Sequence, residues 1–143
     1  MTSMLEVEME KKILQYLSAC EDFKIVGTEV PFLSRCIDIV MLNQANDLIS
    51  IELKIKDWKH AIAQALNHKL GSDYAYICLP KRKMTNTLKE YIYKSKIGLL
   101  MFDDSATQKL EIVVEAPRND NQTIFKQLML QNLKNCPYLG DAK

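Results

Sequence analysis

The chain lacks most of the signatures that would assign a function quickly. No apolar run approaches membrane-spanning length, and the amino-terminal stretch MTSMLEVEMEKK is too acidic for a signal peptide. A cytoplasmic protein that does not use a membrane is expected. Cys20, Cys36, Cys78 and Cys136 include no CxxC pair and have no histidine at zinc-ligand spacing. They read as reduced, mostly buried thiols, which argues against a structural zinc site. There is no glycine-rich phosphate loop and no Gly-x-Ser-x-Gly elbow, and two histidines leave little room for histidine-based catalysis. Repeats, linkers and low-complexity segments are absent too, so residues 1–143 are expected to form one domain with a real core.

What is present is unevenly charged. The net charge is +1, but Lys54 to Lys96 holds ten Lys/Arg against three acids, a net of +7, and the rest of the chain carries −6. Such segregation suits a basic face for a polyanion, or simply lysines solvating helix surfaces.

Periodicity places the elements. Leu5, Met9, Ile13, Tyr16, Leu17 and Cys20 form one helical stripe, with Glu6 near its middle and Glu10 at its edge. A carboxylate on a buried face is costly unless paired or bound to metal. Strands are expected over residues 23–31, 34–42 and 48–55. Asp57 then caps a helix running from Trp58 to about Leu70 and ended by Gly71. Residues 74–79 read as a fourth strand, 84–93 as a helix, 97–102 as a short buried strand, 109–114 as an edge strand, and 122–133 as a terminal helix before a loose end. The spacing puts Tyr74, Tyr76, Tyr91 and Tyr93 in core packing and makes Trp58 a core anchor. The order α-β-β-β-α-β with additions implies an α/β domain, a mixed sheet flanked by helices.

One hairpin stands out. If the polar loop centred on Ala45 is symmetric, Asp38 lies across from Glu52, with side-chain bases roughly 5 Å apart. Lys54 shares the face of Glu52, while Ile51, Leu53 and Ile55 point into the core. Like charges opposite one another destabilise a sheet. A Mg²⁺ ion held by carboxylates, water and substrate phosphate reverses that sign.

These residues, with Glu6 and Glu10 on the preceding helix, resemble the PD-(D/E)XK nuclease superfamily over about residues 6–79. The resemblance implies a restriction endonuclease-like αβββαβ core over about residues 5–80, with additions at 84–133. It implies metal ligation by Asp38, Glu52 and the Leu53 carbonyl, with Glu10 favoured over Glu6 to complete the set, and Lys54 as the lysine that positions or activates water. Mg²⁺ is the implied cofactor, with Mn²⁺ expected to substitute.

Some subfamilies carry Gln-x-x-x-Tyr on the next helix. Here the stretch is Gln64-Ala65-Leu66-Asn67-His68, so His68 replaces the tyrosine. Gln64 would touch a metal-bound water or a phosphate, and His68 would contact a phosphate or sit on the helix surface. Ile37 stands where the family's proline is expected. Glu29 and Arg35 belong to the site or form a structural ion pair. Lys56, Lys59, Lys69 and the run Lys81-Arg82-Lys83 would hold the flanking DNA backbone.

Three readings therefore stand. One is a Mg²⁺-dependent deoxyribonuclease acting alone as a homodimer or within a larger complex. The alternative is a non-catalytic nucleic-acid-binding or protein-assembly module that retains the fold. The third is a small α/β protein with a protein partner and no metal.

Overall fold

Residues 48–53, Leu-Ile-Ser-Ile-Glu-Leu, are buried along their whole length and form the strand β3. In the computed structural model, which describes residues 2–120 and 123–134, the sheet is built around that strand. The elements run α1 (Thr2–Ser18), β1 (Lys24–Phe32), β2 (Arg35–Leu42), β3 (Leu48–Leu53), α2 (Trp58–Lys69), β4 (Tyr74–Pro80), α3 (Asn86–Ser95), β5 (Gly98–Phe102), β6 (Leu110–Val114) and α4 (Thr123–Lys134). The six strands lie side by side in sequence order. β1, β2 and β3 are antiparallel, β3, β4 and β5 parallel, and β6 returns antiparallel as an edge. This is a mixed α/β sheet flanked by helices, and its first six elements follow the αβββαβ order expected from the sequence. Cys136, the side chain of Leu5 and the expected loose end from residue 135 lie outside the described residues.

The hairpin register is the one the symmetric loop implied. Ile39 pairs with Ile51, Val40 with Ser50, Met41 with Ile49 and Leu42 with Leu48. Asn43 fixes the turn, because its side-chain oxygen accepts from the N–H groups of Ala45 and Asp47, both at 2.9 Å. The odd-numbered β3 residues Ile49, Ile51 and Leu53 pack with Met9, Ile13 and Leu17 of α1 on one face. The even-numbered ones turn to the other face, where Ala61, Ile62 and Ala65 of α2 meet Ala75, Ile77 and Leu79 of β4. Each buried Ile or Leu stabilises by roughly 1.5–3 kcal/mol. That reserve lets the fold tolerate polar residues at the even positions.

Two glycines are set by close approach. As expected, α2 stops before Gly71; its cap is Leu70 in the right-handed region, and no described glycine has positive φ. A Cβ on Gly71 would lie 2.6 Å from the Phe32 ring, so the position serves packing. On Gly98 a Cβ would meet the Tyr76 ring at 2.3 Å and the Ala116 backbone nitrogen at 2.7 Å. Ala116 N–H donates to the Tyr76 hydroxyl at 3.3 Å, which holds the segment after β6 against the sheet. Gly98→Ala is expected to lower stability by about 1–3 kcal/mol in a denaturant titration, since ring and backbone must both move.

Other expectations need correcting. Cys78 is buried, but Cys36 is exposed and Cys20 half-buried, all three as free thiols. Tyr74 and Tyr76 pack against the α1-side core, whereas Tyr91 and Tyr93 are exposed because α3 buries only Leu88 and Ile92. Trp58 is half-buried, its ring edge-on to Tyr91 at 5.2 Å. Among the described residues no helix is long and apolar enough to cross a membrane.

Candidate metal and nucleic-acid site

Extending the hairpin register one step past Ile39 and Ile51 makes Asp38 and Glu52 neighbours. β1 adds a third acid to the row, because the pairs Thr28↔Ile39 and Val30↔Ile37 bracket Glu29 opposite Asp38. Glu29 has φ 49°, a left-handed conformation uncommon outside glycine. Three antiparallel strands thus bring Glu29, Asp38 and Glu52 to one line across the sheet. Sequence reading left Glu29 undecided, since its place depends on the β1 register and the irregularity between Ile25 and Gly27.

The half-buried Asp38 and the buried Glu52 are both engaged, whereas Glu29 is exposed. Leu53 N–H donates to Asp38 Oδ2 at 2.8 Å, so the carboxylate takes a backbone donor at the end of the hairpin ladder. Glu52 is 4% exposed, and its Oε1 lies 3.1 Å from His68 Nε2. Burial pushes the Asp38 carboxyl up to about 7, helped by the charges of Glu52 and Glu29 and opposed by the Leu53 N–H. Burial also pushes Glu52 up to about 7, against the charge of Lys54, with the charge of Glu29 adding to the rise. Glu10, half-buried on α1, rises to about 7 through burial and the charges of Asp38 and Glu29. Glu6, one turn earlier, adds to the field on Glu52. Four sequence-predicted acids and Glu29 therefore share one electrostatic site.

The surrounding residues divide by position. Lys54 is half-buried just past β3, its N–H donating to the Cys78 carbonyl at 3.1 Å. Gln64 sits on the inner side of α2, with a buried Oε1 that finds no hydrogen-bond partner among the described residues. His68, expected at a phosphate or on the helix surface, is fully buried behind Glu52 and out of reach of a backbone phosphate. Its imidazole is pushed down to about 4, chiefly by burial. Arg35 is exposed at the start of β2, and its charge acts on His68 in the same direction.

The basic residues fall into two groups. β3 and β4 are parallel, with Leu53 beside Cys78, so Lys54, Lys56, Lys81, Arg82 and Lys83 emerge from the same end of the sheet. Lys56 and the Lys81–Lys83 run are exposed. Lys59, in the first turn of α2, lies over the rings of Trp58 and Tyr91 at 5.7 and 5.3 Å. Lys69 is apart from them. It closes α2 about 16 Å along the axis from Trp58, and its ammonium reaches the Ser95 carbonyl at 3.5 Å.

The donor set could hold a hard divalent cation. Asp38 and Glu52 are two adjacent carboxylates whose mutual repulsion a cation would offset, and Mg²⁺ takes one or two carboxylates with water and substrate oxygens filling the rest. Among the described residues no three His, Cys, Asp or Glu side chains already converge as a closed metal-binding group. A cavity of about 230 Å³ lined by Tyr16, Leu17, Phe23, Leu100 and Leu110 includes none of these acids.

No protein-family model matches the chain, and no curated protein sequence matches it. Solved structures do. A protein of unknown function from Silicibacter pomeroyi superposes with a TM-score of 0.61 at 19% identity, covering 88% of this chain and 81% of that one. A repair endonuclease from Pyrococcus abyssi gives a TM-score of 0.48 at 17% identity, over 68% of this chain and 45% of that one. EndoMS in complex with double-stranded DNA gives 0.46 at 18% identity, over 64% and 42%. The chain spans under half the length of these two endonucleases. At such identities the likeness concerns the fold.

Proposed function

We propose that the protein is a divalent-cation-dependent nuclease that hydrolyses phosphodiester bonds of DNA. The observation that carries this reading is the pair Asp38 and Glu52, two neighbouring carboxyls on adjacent central strands, both raised to about 7, with Lys54 beside them. A fold stabilised by apolar burial gains nothing from two adjacent acids in its middle, whereas a cation site requires them.

Asp38, Glu52, the Leu53 carbonyl and Glu10 would hold Mg²⁺ or Mn²⁺. When bound, the cation polarises the scissile phosphate and lowers the pKa of an attacking water. Lys54 orients that water or stabilises charge gathering on the phosphate oxygens in the transition state. Gln64 presents its side-chain amide to the phosphate or the water. Lys56, Lys59 and the Lys81-Arg82-Lys83 run hold the flanking backbone, which gives salt-dependent binding with little sequence preference.

Cleavage of labelled duplex and single-stranded DNA in Mg²⁺ or Mn²⁺, abolished by chelator, is the expected result. Binding without cleavage in either cation would instead favour a non-catalytic module on the same fold. Replacing Lys81, Arg82 and Lys83 together with alanine is expected to weaken DNA binding about equally across sequences. The slope of log affinity against log salt should fall by roughly 2–3, since each phosphate contact on duplex DNA contributes about 0.9. An unchanged slope would remove that run from the interface.

A further inference from the structure

We propose that His68 is a positioning residue that fixes how Glu52 presents its carboxylate to a divalent cation, and so tunes the site toward Mg²⁺ over Ca²⁺. The inference rests on the metal-centre reading above and adds a residue outside the ligand set.

The geometry constrains both partners. His68 has no exposed surface, and its Nε2 lies 3.1 Å from Glu52 Oε1. The ring cannot swing away, because α2 is anchored behind it. Ser72 Oγ–H donates to the His68 carbonyl at 2.9 Å, and Ser72 in turn lies 3.0 Å from Ser50 Oγ, two residues before Glu52 on β3. The helix that holds His68 is thereby tied to the strand that holds Glu52.

The tautomer follows from what the other nitrogen meets. His68 Nδ1 is buried and has no hydrogen-bond partner among the described residues. A buried N–H without an acceptor is rarer than an acceptor lacking a donor, so the proton belongs on Nε2. Nε2–H then donates to Oε1 of the ionised carboxylate and opposes its use in a chelating mode, leaving Oε2 as the unencumbered oxygen. Ca²⁺ accepts six to eight oxygens and readily takes a carboxylate through both, while Mg²⁺ requires close octahedral geometry and few protein ligands. A carboxylate held to one oxygen favours the smaller ion.

The test uses the full chain titrated calorimetrically with Mg²⁺ and Ca²⁺ alone, in the wild type and in His68→Leu, His68→Gln and His68→Asn. Circular dichroism and the melting temperature establish that each variant is folded. Removing a hydrogen bond to a metal ligand typically weakens metal binding 10–100-fold. His68→Leu is expected to lose about that much Mg²⁺ affinity and less Ca²⁺ affinity, so the Mg²⁺/Ca²⁺ affinity ratio falls about tenfold. His68→Gln, whose amide N–H reaches the same place, should keep the ratio within a few-fold, and the shorter His68→Asn should behave like leucine. If His68→Leu fails to fold, the Gln and Asn pair decides the matter. Nitrogen-15 shifts of wild-type His68 should show the proton on Nε2, and a proton on Nδ1 would overturn the proposal. A folded His68→Leu or His68→Asn with an unchanged ratio overturns it alone. A wild-type chain that binds neither cation overturns the metal centre itself, and this inference with it.

Discussion

Replacing Asp38 with asparagine is expected to lower Mg²⁺-dependent DNA cleavage by a factor on the order of 10³, while the protein stays folded and its metal-free form melts higher at pH 8. The two effects have separate causes. Asparagine keeps a side-chain oxygen for the Leu53 N–H, now 2.8 Å from Asp38 Oδ2, so the hairpin end stays satisfied. It removes one negative charge from a group whose members raise one another's pKa: Glu10 responds to Asp38, and Asp38 to Glu52 and Glu29. A ligand lost and a repulsion relieved should appear as inactivity with gain of stability. Asp38→Ala is a poorer probe, because it also leaves the Leu53 N–H unpaired at about 1–3 kcal/mol. Cleavage by Asp38→Asn at the wild-type rate would sink the assigned site. A variant that is inactive and also less stable would assign Asp38 a structural role.

That experiment depends on a residue the sequence placed well. The Asp38–Glu52 relation was legible because the loop around Ala45 is short, symmetric and polar, while the apolar alternation excludes a slip by one residue. A slip by two keeps every face, and it is the turn built on Asn43 that rules it out. A shift of one residue would turn Ile39, Met41, Ile49 and Ile51 out of the α1-side core. The αβββαβ order was legible for the same reason: strands and helices each carried their own period. His68 was not, because a helical wheel gives an edge and not a depth. Its burial follows from how close α2 lies to β3, which Ser50 and Ser72 set through a contact 22 residues apart. Glu29 was hidden by the β1 irregularity. Lys69 looked like one more basic residue in a basic stretch, but the length of α2 carries it away from Lys56 and Lys59. Tyr91 and Tyr93 had helical spacing consistent with burial, yet α3 leaves them exposed, Tyr91 beside Trp58 and Lys59.

In chelator, the melting temperature is expected to fall as pH rises from about 5 to about 8, and Mg²⁺ at about a hundred times its dissociation constant should raise it again at pH 8 by roughly 8 °C. Asp38, Glu52 and Glu10 are lifted from ordinary carboxylate values to about 7 in the folded chain. Between those limits the folded protein keeps protons that the unfolded chain has released. Their contribution to stability is complete below the unfolded values and is lost as pH climbs through about 7. His68 has the opposite sign: its pKa drops from 6.5 to about 4, so its contribution is present above 6.5 and lost as pH falls through about 4. One imidazole offsets part of the effect of three acids below about pH 6.5, so the decline should be under way by about pH 5, steepest near pH 6 and level again above about pH 7.5. Asp38 and Glu52 interact strongly enough to titrate as a pair, and a single broad transition is expected from the two. In the metal-free protein, a proton on one of the two relieves the repulsion between them. The double variant Asp38→Asn, Glu52→Gln has no such proton to lose, and should show both a flatter pH profile and no response to Mg²⁺. A wild-type melting temperature that is level from pH 5 to 8 and insensitive to Mg²⁺ would mean that the acids are neither mutually strained nor a place where the cation binds.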